Sequence, residues 1–428
     1  MENIIAGCCY KKWKIIIITS LIFGYATFYV VRLNFSIAIP IITEDYGFNK
    51  TQVGLILSLF SIIYGFGKFI FGYLCDHTNP KWFLIVGLLG TGIINLMISF
   101  GGVSNFSLLC FLWSLNGCFQ AMGWPSCAKI LTHLFSQKEI GTIWGICNSS
   151  HAIGSACIAV CGSYLLVRFG IHAIFFVPSL SALGMAFLLM WSLGDLPKMQ
   201  NGLRKNSSFE KKITANLIRQ KKDLLKNHIL NNSIMWSLCL SNFFLYIVRI
   251  GFINWIPSFL IENQGESFIF VGWQLAGFEG MGILGGIIAG YLSDRIGVAR
   301  RPIIAIRFLF GLFICLVVSY VLQKYQITLL AFGIICAGFF IYGPQVLAGV
   351  IATDYISKEM AATATGMIGT AGYVGATLAG VGIGWIVDRS GWGWAYNMLT
   401  LSSLFSLLSF YISLKILKTS YPNDNIDR

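Results

Sequence analysis

Two stretches of the chain repeat one another: YVVRLNFSIAIP at residues 29–40 and YIVRIGFINWIP at residues 246–257. The tyrosine, second valine, arginine, phenylalanine, last isoleucine and proline of the first recur in the second at an offset of 217 residues. GYLCD at 72–76 recurs as GYLSD at 290–294, at an offset of 218 residues. GWP at 123–125 is echoed by GP at 343–344. Three echoes in the same order predict that the chain is a duplicated unit.

The composition places this unit in a membrane. The 428 residues are 56% hydrophobic and 11% charged, and the mean hydropathy is +0.74. Soluble chains carry about 25% charged residues, so this chain has too few to cover a surface that faces water. These numbers exclude a cytosolic enzyme, a secreted disulfide scaffold and a disordered regulator.

The apolar runs are long enough for helices that cross the bilayer, which need about 20 residues. They do not alternate as the strands of a membrane β-barrel do. We therefore predict an all-α membrane protein with twelve transmembrane helices in two six-helix repeats: an N-terminal half at 1–194, a basic cytoplasmic linker at 195–228 and a C-terminal half at 229–428. The predicted spans are 15–40, 52–74, 82–100, 105–129, 140–167, 172–194, 234–260, 270–292, 302–321, 327–352, 363–387 and 395–418.

The net charge of +13 is a topology signal in this setting. Of the 30 Lys and Arg, 23 fall in the termini and in alternate loops, and four fall in the loops on the other side. Loops rich in Lys and Arg stay cytoplasmic, so we expect both termini in the cytoplasm. The excess charge therefore gives no reason to expect a nucleic-acid partner.

Five ionisable side chains lie well inside the predicted spans, where a charge costs from about 3 to over 10 kcal/mol. They are Arg32, Lys68, His151, Arg249 and Glu279. Each arginine precedes by eight residues a proline that we expect to end its span. The two guanidinium groups are therefore predicted near the midplane, at one depth, one from each half.

A bound dianion would explain two arginines at that depth, because the guanidinium fork matches phosphate and carboxylate oxygens. The alternative is that each arginine reaches the interface or pairs with its own carboxylate. Only Glu279 lies inside the spans, and one acid cannot neutralise both arginines. We therefore predict a phosphate-like or carboxylate ligand, with Lys68 as a third cation unless its side chain extends toward the cytoplasm.

Other polar side chains share helix faces with these charges. Tyr25 and Tyr29 precede Arg32 with i, i+4, i+7 spacing, and Asn242 and Tyr246 precede Arg249 in the same way. His151 follows Asn148 by one turn, and histidine titrates near neutral pH, so it could couple ligand charge to protonation. Glu279 could balance the cations in the empty state or contact a ligand hydroxyl, and the sequence leaves both interpretations open.

Two parallel six-helix repeats resemble the plan of the major facilitator superfamily, whose ligand site lies at the midplane between the halves. The motifs resemble, within that superfamily, the organophosphate:phosphate antiporters. The resemblance covers essentially the whole chain. It rests on Gly24–Phe35, Tyr64–Phe69, Leu115–Pro125, Asn148–His151, Tyr246–Trp255, Glu279 and Tyr342–Gln345.

The resemblance implies roles for named residues. In this family the paired arginines of the first and seventh spans bind phosphate, which assigns that role to Arg32 and Arg249. The other residues that it places in the pocket are Lys68, His151, Glu279, Tyr25, Tyr29, Tyr246 and Tyr342. The loops ending at Asp76 and Asp294 resemble the superfamily's signature loop, so these aspartates and Arg295 are candidate gating residues. The alternative is a tight turn whose aspartate caps the next helix.

The family resemblance implies a secondary antiporter that imports a sugar phosphate in exchange for inorganic phosphate. The GWPSC and YGPQ stretches resemble the hexose-phosphate branch, which favours hexose 6-phosphate. The alternatives are a glycerol 3-phosphate:phosphate antiporter and a receptor that senses external hexose phosphate. No phosphate-binding loop of an ATPase is present. We expect no cofactor and no enzymatic activity, and a monomer surrounded by lipid in a bacterial inner membrane.

Overall fold

The computed structural model describes residues 2–135, 140–193, 230–297, 300–322, 327–355 and 361–420. We number the α-helices of these ranges in chain order. They are α1 (Glu2–Asp45), α2 (Lys50–His77), α3 (Pro80–Met97), α4 (Phe106–Gln120), α5 (Gly123–Leu134), α6 (Ile140–Ser192), α7 (Ser233–Ser258), α8 (Phe268–Ile296), α9 (Arg301–Leu322), α10 (Ile327–Tyr355), α11 (Ala361–Ser390) and α12 (Trp392–Ser420). The predicted linker at 195–228 lies outside the described residues.

Length and composition identify eleven candidate membrane-spanning segments among the described residues. One of them, Ile146–Ser192, has 47 residues, about 70 Å of helix and far more than one bilayer core needs. The chain breaks inside it at Gly170, whose φ of 77° suits glycine alone. Helices α4 and α5 together form another segment, Phe106–Thr132. The all-α fold predicted from the sequence, with twelve crossings, is confirmed.

The two repeated prolines do not end their helices, and this part of the prediction is wrong. Helix α1 continues through Pro40 to Asp45. Helix α7 includes Pro257 and is followed by a π-helical turn at Phe259–Asn263. Proline removes one backbone hydrogen bond, and helices of membrane proteins tolerate that loss because their surroundings satisfy the freed groups. Both helices extend beyond the proline to a similar extent, so the two arginines keep equivalent positions along them.

The predicted loops at 72–76 and 290–294 are also wrong as loops. Residues 72–76 lie in the last turns of α2, and residues 290–294 lie in the last turns of α8. The side chain that caps α3 is that of Asn79, which accepts a hydrogen bond of 3.0 Å from the Lys81 backbone nitrogen. Asp76 therefore does not begin a new helix, and the structure describes no more than its backbone.

The chain forms two compact units. The first comprises Met1–Phe48, Ile63–Lys205 and Ser267–Trp273, and the second comprises Asn49–Ile62, Asn206–Glu266 and Gln274–Arg428. The beginning of α2 thus packs with the second unit, and the beginning of α8 packs with the first. Each unit is described separately below.

Small residues let the helices of the first unit approach α1 closely. A Cβ atom at Gly154 of α6 would lie 2.2 Å from the backbone oxygen of Ala26, and a Cβ atom at Gly87 of α3 would lie 2.9 Å from the ring of Phe28. Glycine at such positions is typical of tightly packed membrane helices. Helix α1 is therefore held closely by its neighbours over the turns that precede Arg32.

A buried amide network fixes the next turn of α1. The Asn34 side chain donates to Asn95 Oδ1 (2.7 Å) and to the Ile174 carbonyl (3.1 Å), and Asn95 donates to the Val31 carbonyl (3.1 Å). Gln120 donates to the Phe28 carbonyl (2.9 Å). These side chains hold the α1 backbone on both sides of Arg32.

Helix α7 of the second unit is held by hydroxyl groups of α12. Ser237 Oγ lies 2.7 Å from Ser413 Oγ, and Ser241 Oγ lies 2.9 Å from Ser406 Oγ. Small polar residues at an interface let two membrane helices come close and exchange hydrogen bonds. These pairs fix the first half of α7, from which Tyr246 and Arg249 extend the same helix.

Asp388 of α11 caps the beginning of α2 within the second unit. Its carboxylate accepts hydrogen bonds from the backbone nitrogens of Lys50 (3.0 Å) and Thr51 (2.7 Å). The Lys50 ammonium forms an ion pair with Glu262. A carboxylate at a helix N-terminus satisfies open N–H groups and the helix dipole, so the first turn of α2 is attached to α11.

We predict that Asn95→Leu destabilises the protein by about 1–3 kcal/mol, because it leaves the Asn34 amide and the Val31 carbonyl without their hydrogen bonds in a buried site. Denaturation in detergent micelles, followed by near-UV circular dichroism, measures the change. The matched control is Thr27→Val, which removes a hydroxyl that bonds only to the Phe23 carbonyl of its own helix. Equal stability of the two variants would contradict the assigned role of the network.

Candidate functional site

In the first unit, two cations share one buried aromatic ring. The Arg32 guanidinium carbon lies 4.6 Å from the centroid of the Tyr64 ring, and the Lys68 ammonium lies 4.8 Å from the same centroid. Arg32 also lies 5.5 Å from the centroid of the Tyr29 ring. Tyr64 is 2% exposed. Cation–π attraction is stronger in such a desolvated setting than at an exposed one.

The first unit contributes no carboxylate to this site from within its membrane segments. The sequence contains neither Asp nor Glu at 46–75, 77–138 or 140–194. Its acidic residues near these segments, Glu44, Asp45 and Asp76, belong to helix ends. The membrane segments of this unit thus hold Arg32, Lys68 and His151 with an excess of positive charge.

Aromatic rings continue from this cationic site along α1. Tyr29 lies 5.4 Å from His151 and 5.5 Å from Tyr25, and Tyr25 lies 5.0 Å from Trp124, all between ring centroids. We call Tyr64, Tyr29, Tyr25 and Trp124 the aromatic ladder. Arg32 contacts two of its rings, so the ladder joins the cations to Trp124 at the beginning of α5.

The structure brings most of the predicted residues of this half together. His151 Nδ1 bonds to the backbone oxygen of Asn148, one turn earlier. The Asn148 side chain itself is exposed. Tyr64 and Trp124 are additions that the sequence analysis did not list as site residues. Their signal was available, because Tyr64 precedes Lys68 by one helical turn and Trp124 lies in one of the three repeated motifs.

In the second unit, a tyrosine links the arginine to the acid. The Arg249 Nη2 group donates to the Tyr342 hydroxyl (3.0 Å), and that hydroxyl donates to Glu279 Oε2 (2.5 Å). The Arg249 guanidinium carbon also lies 4.6 Å from the centroid of the Tyr342 ring. All three side chains are buried, with exposed fractions of 6%, 5% and 3% for Arg249, Tyr342 and Glu279.

This relay decides between the two interpretations of Glu279 left open above. The carboxylate lies two hydrogen bonds from the guanidinium, so it balances the charge of Arg249. Gly282 of the same helix makes room for the tyrosine, because a Cβ atom there would lie 2.4 Å from the Tyr342 ring. The relay therefore depends on a glycine one turn beyond the acid.

Tyr246 lies beside the relay. The Arg249 guanidinium carbon lies 5.8 Å from its ring centroid, and its hydroxyl accepts a bond of 3.3 Å from Gln345. The Tyr246 ring packs edge-on against Tyr373 of α11, with centroids 5.6 Å apart. Gln345 and Tyr373 are further residues that the sequence analysis did not list. Asn242, predicted for this site, donates to the Ile368 carbonyl of α11 (2.8 Å).

The candidate gating residues of the second unit lie at the end of α8. Asp294 is exposed and accepts a bond of 3.0 Å from Arg301. Arg301 also pairs with Asp354 at 2.6 Å, an acid that the sequence analysis did not name. Arg295 is exposed, and its guanidinium carbon lies 4.6 Å from the centroid of the Tyr291 ring on its own helix. A gating role for Asp76, Asp294 and Arg295 stays a prediction.

The sequence matches the family model of the Major Facilitator Superfamily over residues 21–380 and 238–425. A probable hexose phosphate transport protein of Chlamydia trachomatis is 33% identical over 94% of this chain and 91% of the relative. A glycerol-3-phosphate transporter of Bacillus subtilis is 34% identical over 93% of this chain and 92% of the relative. The chain belongs to the Major Facilitator Superfamily and, within it, to the organophosphate:phosphate antiporter family.

Two further comparisons concern activity and fold. The membrane sensor protein UhpC of Escherichia coli is 29% identical over 93% of this chain and 92% of the relative. A bacterial homologue of the human lysosomal transporter Spinster, solved in an inward-facing and occupied conformation, matches with a TM-score of 0.73 at 15% identity. That match covers 97% of this chain and 98% of the solved chain. It supports the fold, and the protein is a multi-pass membrane protein.

We predict that Glu279→Gln binds inorganic phosphate about tenfold more tightly than the wild type. The substitution removes the negative charge that balances Arg249, and opposite charges at this separation attract each other by a few kcal/mol at an effective dielectric constant near 20. Isothermal titration calorimetry in detergent measures the affinity. A control, Glu44→Gln, removes an acid from the end of α1. Weaker binding by Glu279→Gln would show that Glu279 acts otherwise than by balancing charge.

Proposed function

We propose that this protein is a secondary active antiporter that imports a sugar phosphate, hexose 6-phosphate in the first instance, in exchange for inorganic phosphate. The observation that carries the proposal is the pair of cations on one ring. Arg32 and Lys68 share Tyr64, and the membrane segments of their own unit contain no acid. A site with this excess of positive charge suits a ligand with two negative charges.

Phosphate is the ligand that matches the donors best. A guanidinium group offers two parallel N–H donors to two phosphate oxygens, and an ammonium group adds a point charge. We propose that both Arg32 and Arg249 bind the phosphate group, and that His151, Tyr25, Tyr29, Tyr246 and Tyr342 line the same pathway. The relay in the second unit supports this role, because Tyr342 and Glu279 hold the Arg249 guanidinium in one orientation.

The organic group is the less constrained part of the substrate. The curated relatives include one named for hexose phosphate and one named for glycerol 3-phosphate, at nearly equal identity. Phosphate is common to both names. We assign the hexose branch on the GWPSC and YGPQ stretches, and a glycerol 3-phosphate:phosphate antiporter is the alternative.

Coupling follows from the charges. A ligand shifts a conformational equilibrium only by binding one state better than the other. A bound dianion compensates Arg32 and Lys68, whereas the empty protein must rearrange with these cations uncompensated in a medium where charge is costly. The loaded protein therefore changes conformation more readily than the empty one, which favours exchange over one-way transport.

We propose further that the protein works as a monomer, surrounded by lipid, in a bacterial inner membrane. The basic loops place both termini in the cytoplasm. Import then means movement of the sugar phosphate toward the side of the termini.

A receptor is the second candidate, favoured by the similarity to a membrane sensor protein. Such a protein would keep the phosphate site, so the pocket alone does not distinguish the two. Exchange does. Purified protein in liposomes loaded with phosphate is offered labelled phosphate, glucose 6-phosphate or glycerol 3-phosphate. Uptake that requires internal phosphate supports the antiporter, and binding without exchange supports the receptor.

We expect Arg32→Lys and Arg249→Lys each to lower phosphate exchange by about 100-fold, because an ammonium group cannot form the bidentate contact of a guanidinium group. Initial rates of labelled phosphate uptake into proteoliposomes measure the loss. The matched control is Arg307→Lys, at an exposed arginine of α9, which should exchange at the wild-type rate. Exchange at the wild-type rate by both site variants would contradict bidentate phosphate binding.

A further inference from the structure

The aromatic ladder extends beyond the residues needed to hold a phosphate group. Arg32 and Lys68 lie at its Tyr64 and Tyr29 rings, whereas Trp124 lies at its other end, in contact with Tyr25. Tyr25 precedes Arg32 by seven residues, which is about 10 Å along a helix. The site is therefore cationic at one end and aromatic at the other, as a phosphorylated sugar is anionic at one end and largely uncharged at the other.

The exposure of the ladder shows which of its rings are accessible. Tyr64 and Tyr25 are 2% and 6% exposed. Tyr29 and Trp124 keep part of their surface accessible, as Arg32 and Lys68 do. Because charged groups in a membrane protein face the protein interior or a water-filled cavity rather than lipid, the accessible edge that carries the two cations is an interior one. Tyr29 and Trp124 continue that edge through ring contacts.

The position of Trp124 is well defined by its surroundings. Its ring packs on Tyr25, and the preceding Gly123 fits against Phe28, since a Cβ atom there would lie 3.2 Å from that ring. Pro125 follows in the first turn of α5, where proline is tolerated because the N–H groups have no partner inside the helix. Trp124 is thus a ring in a restricted position that keeps an accessible face.

We propose that Trp124 forms the subsite for the sugar ring of a hexose phosphate, with the phosphate group on Arg32 and Lys68. This inference rests on the proposed function. A pyranose ring presents a rigid face of C–H groups, which packs on an aromatic ring and removes apolar surface from water. Glycerol 3-phosphate is a flexible chain with no such face. Trp124 is therefore a residue that selects the organic group of the substrate.

The test compares substrates within one preparation. Wild-type protein, Trp124→Ala, Trp124→Phe and Trp82→Ala are reconstituted in liposomes loaded with phosphate. The half-saturating concentrations of labelled glucose 6-phosphate, glycerol 3-phosphate and inorganic phosphate are measured for each. Trp82→Ala is the matched control, because Trp82 belongs to α3 of the same unit and is 54% exposed.

For Trp124→Ala we expect the half-saturating concentration of glucose 6-phosphate, relative to that of phosphate, to rise about tenfold, the magnitude of one lost ring contact. The ratio for glycerol 3-phosphate should stay near that of the wild type. Trp124→Phe keeps an aromatic face and should recover most of the difference.

Two results would overturn the subsite and leave the antiporter intact. One is an unchanged glucose 6-phosphate ratio in Trp124→Ala, and the other is an equal rise for both organic phosphates. Failure of the wild type to exchange labelled phosphate would instead refute the proposed function, and the subsite that rests on it. The two failures are distinguishable because phosphate self-exchange involves no sugar.

Discussion

The structure depends on keeping a guanidinium group stable inside a membrane. A bare charge there costs from about 3 to over 10 kcal/mol, depending on how it is measured. Both units place an arginine in a span, and both place a tyrosine ring 4.6 Å from its guanidinium carbon. The close helix packing around α1 and α7 keeps those rings in position. The amide network of the first unit and the serine pairs of the second serve the same purpose.

The duplicated units reach the same ring geometry by different routes. In the first unit the ring belongs to Tyr64 of α2, and in the second it belongs to Tyr342 of α10. With the offset of 218 residues between the second and eighth spans, the position that corresponds to Tyr64 is Gly282. A glycine there leaves the space that the Tyr342 ring occupies. One substitution thus exchanged the helix that supplies the ring while the arginine kept its aromatic partner.

The same offset accounts for the difference in charge between the units. Lys68 corresponds to Gly286, and Glu279 corresponds to Ser61. The first unit therefore gains a cation where the second has none, and the second gains an acid where the first has a hydroxyl. A symmetric ancestor with one arginine in each half would bind an anion equally from both sides. The present chain has an excess of positive charge in the membrane segments of one unit and a balanced relay in the other.

Much of this was predictable from the sequence, because hydropathy and the cost of buried charge are properties of single segments. The twelve crossings and the charged residues Arg32, Lys68, His151, Arg249 and Glu279 follow from those rules alone. Helix ends at Pro40 and Pro257 were mispredicted because tolerance of proline depends on neighbouring helices. The link from Tyr342 to Glu279 joins residues 63 positions apart, so no local pattern reveals it.

Separate recognition of phosphate and sugar explains how relatives with different names can share about one third of their residues with this chain. The phosphate-binding groups lie on long helices whose contacts are buried, and a change there disturbs the packing of α1 or α7. Trp124 lies instead in the first turn of a helix of 12 residues and keeps an accessible face. A substitution at such a position alters the organic group that fits while the buried network around the arginines is left intact. Selectivity for the sugar can therefore change by few substitutions, whereas selectivity for phosphate is constrained by the fold.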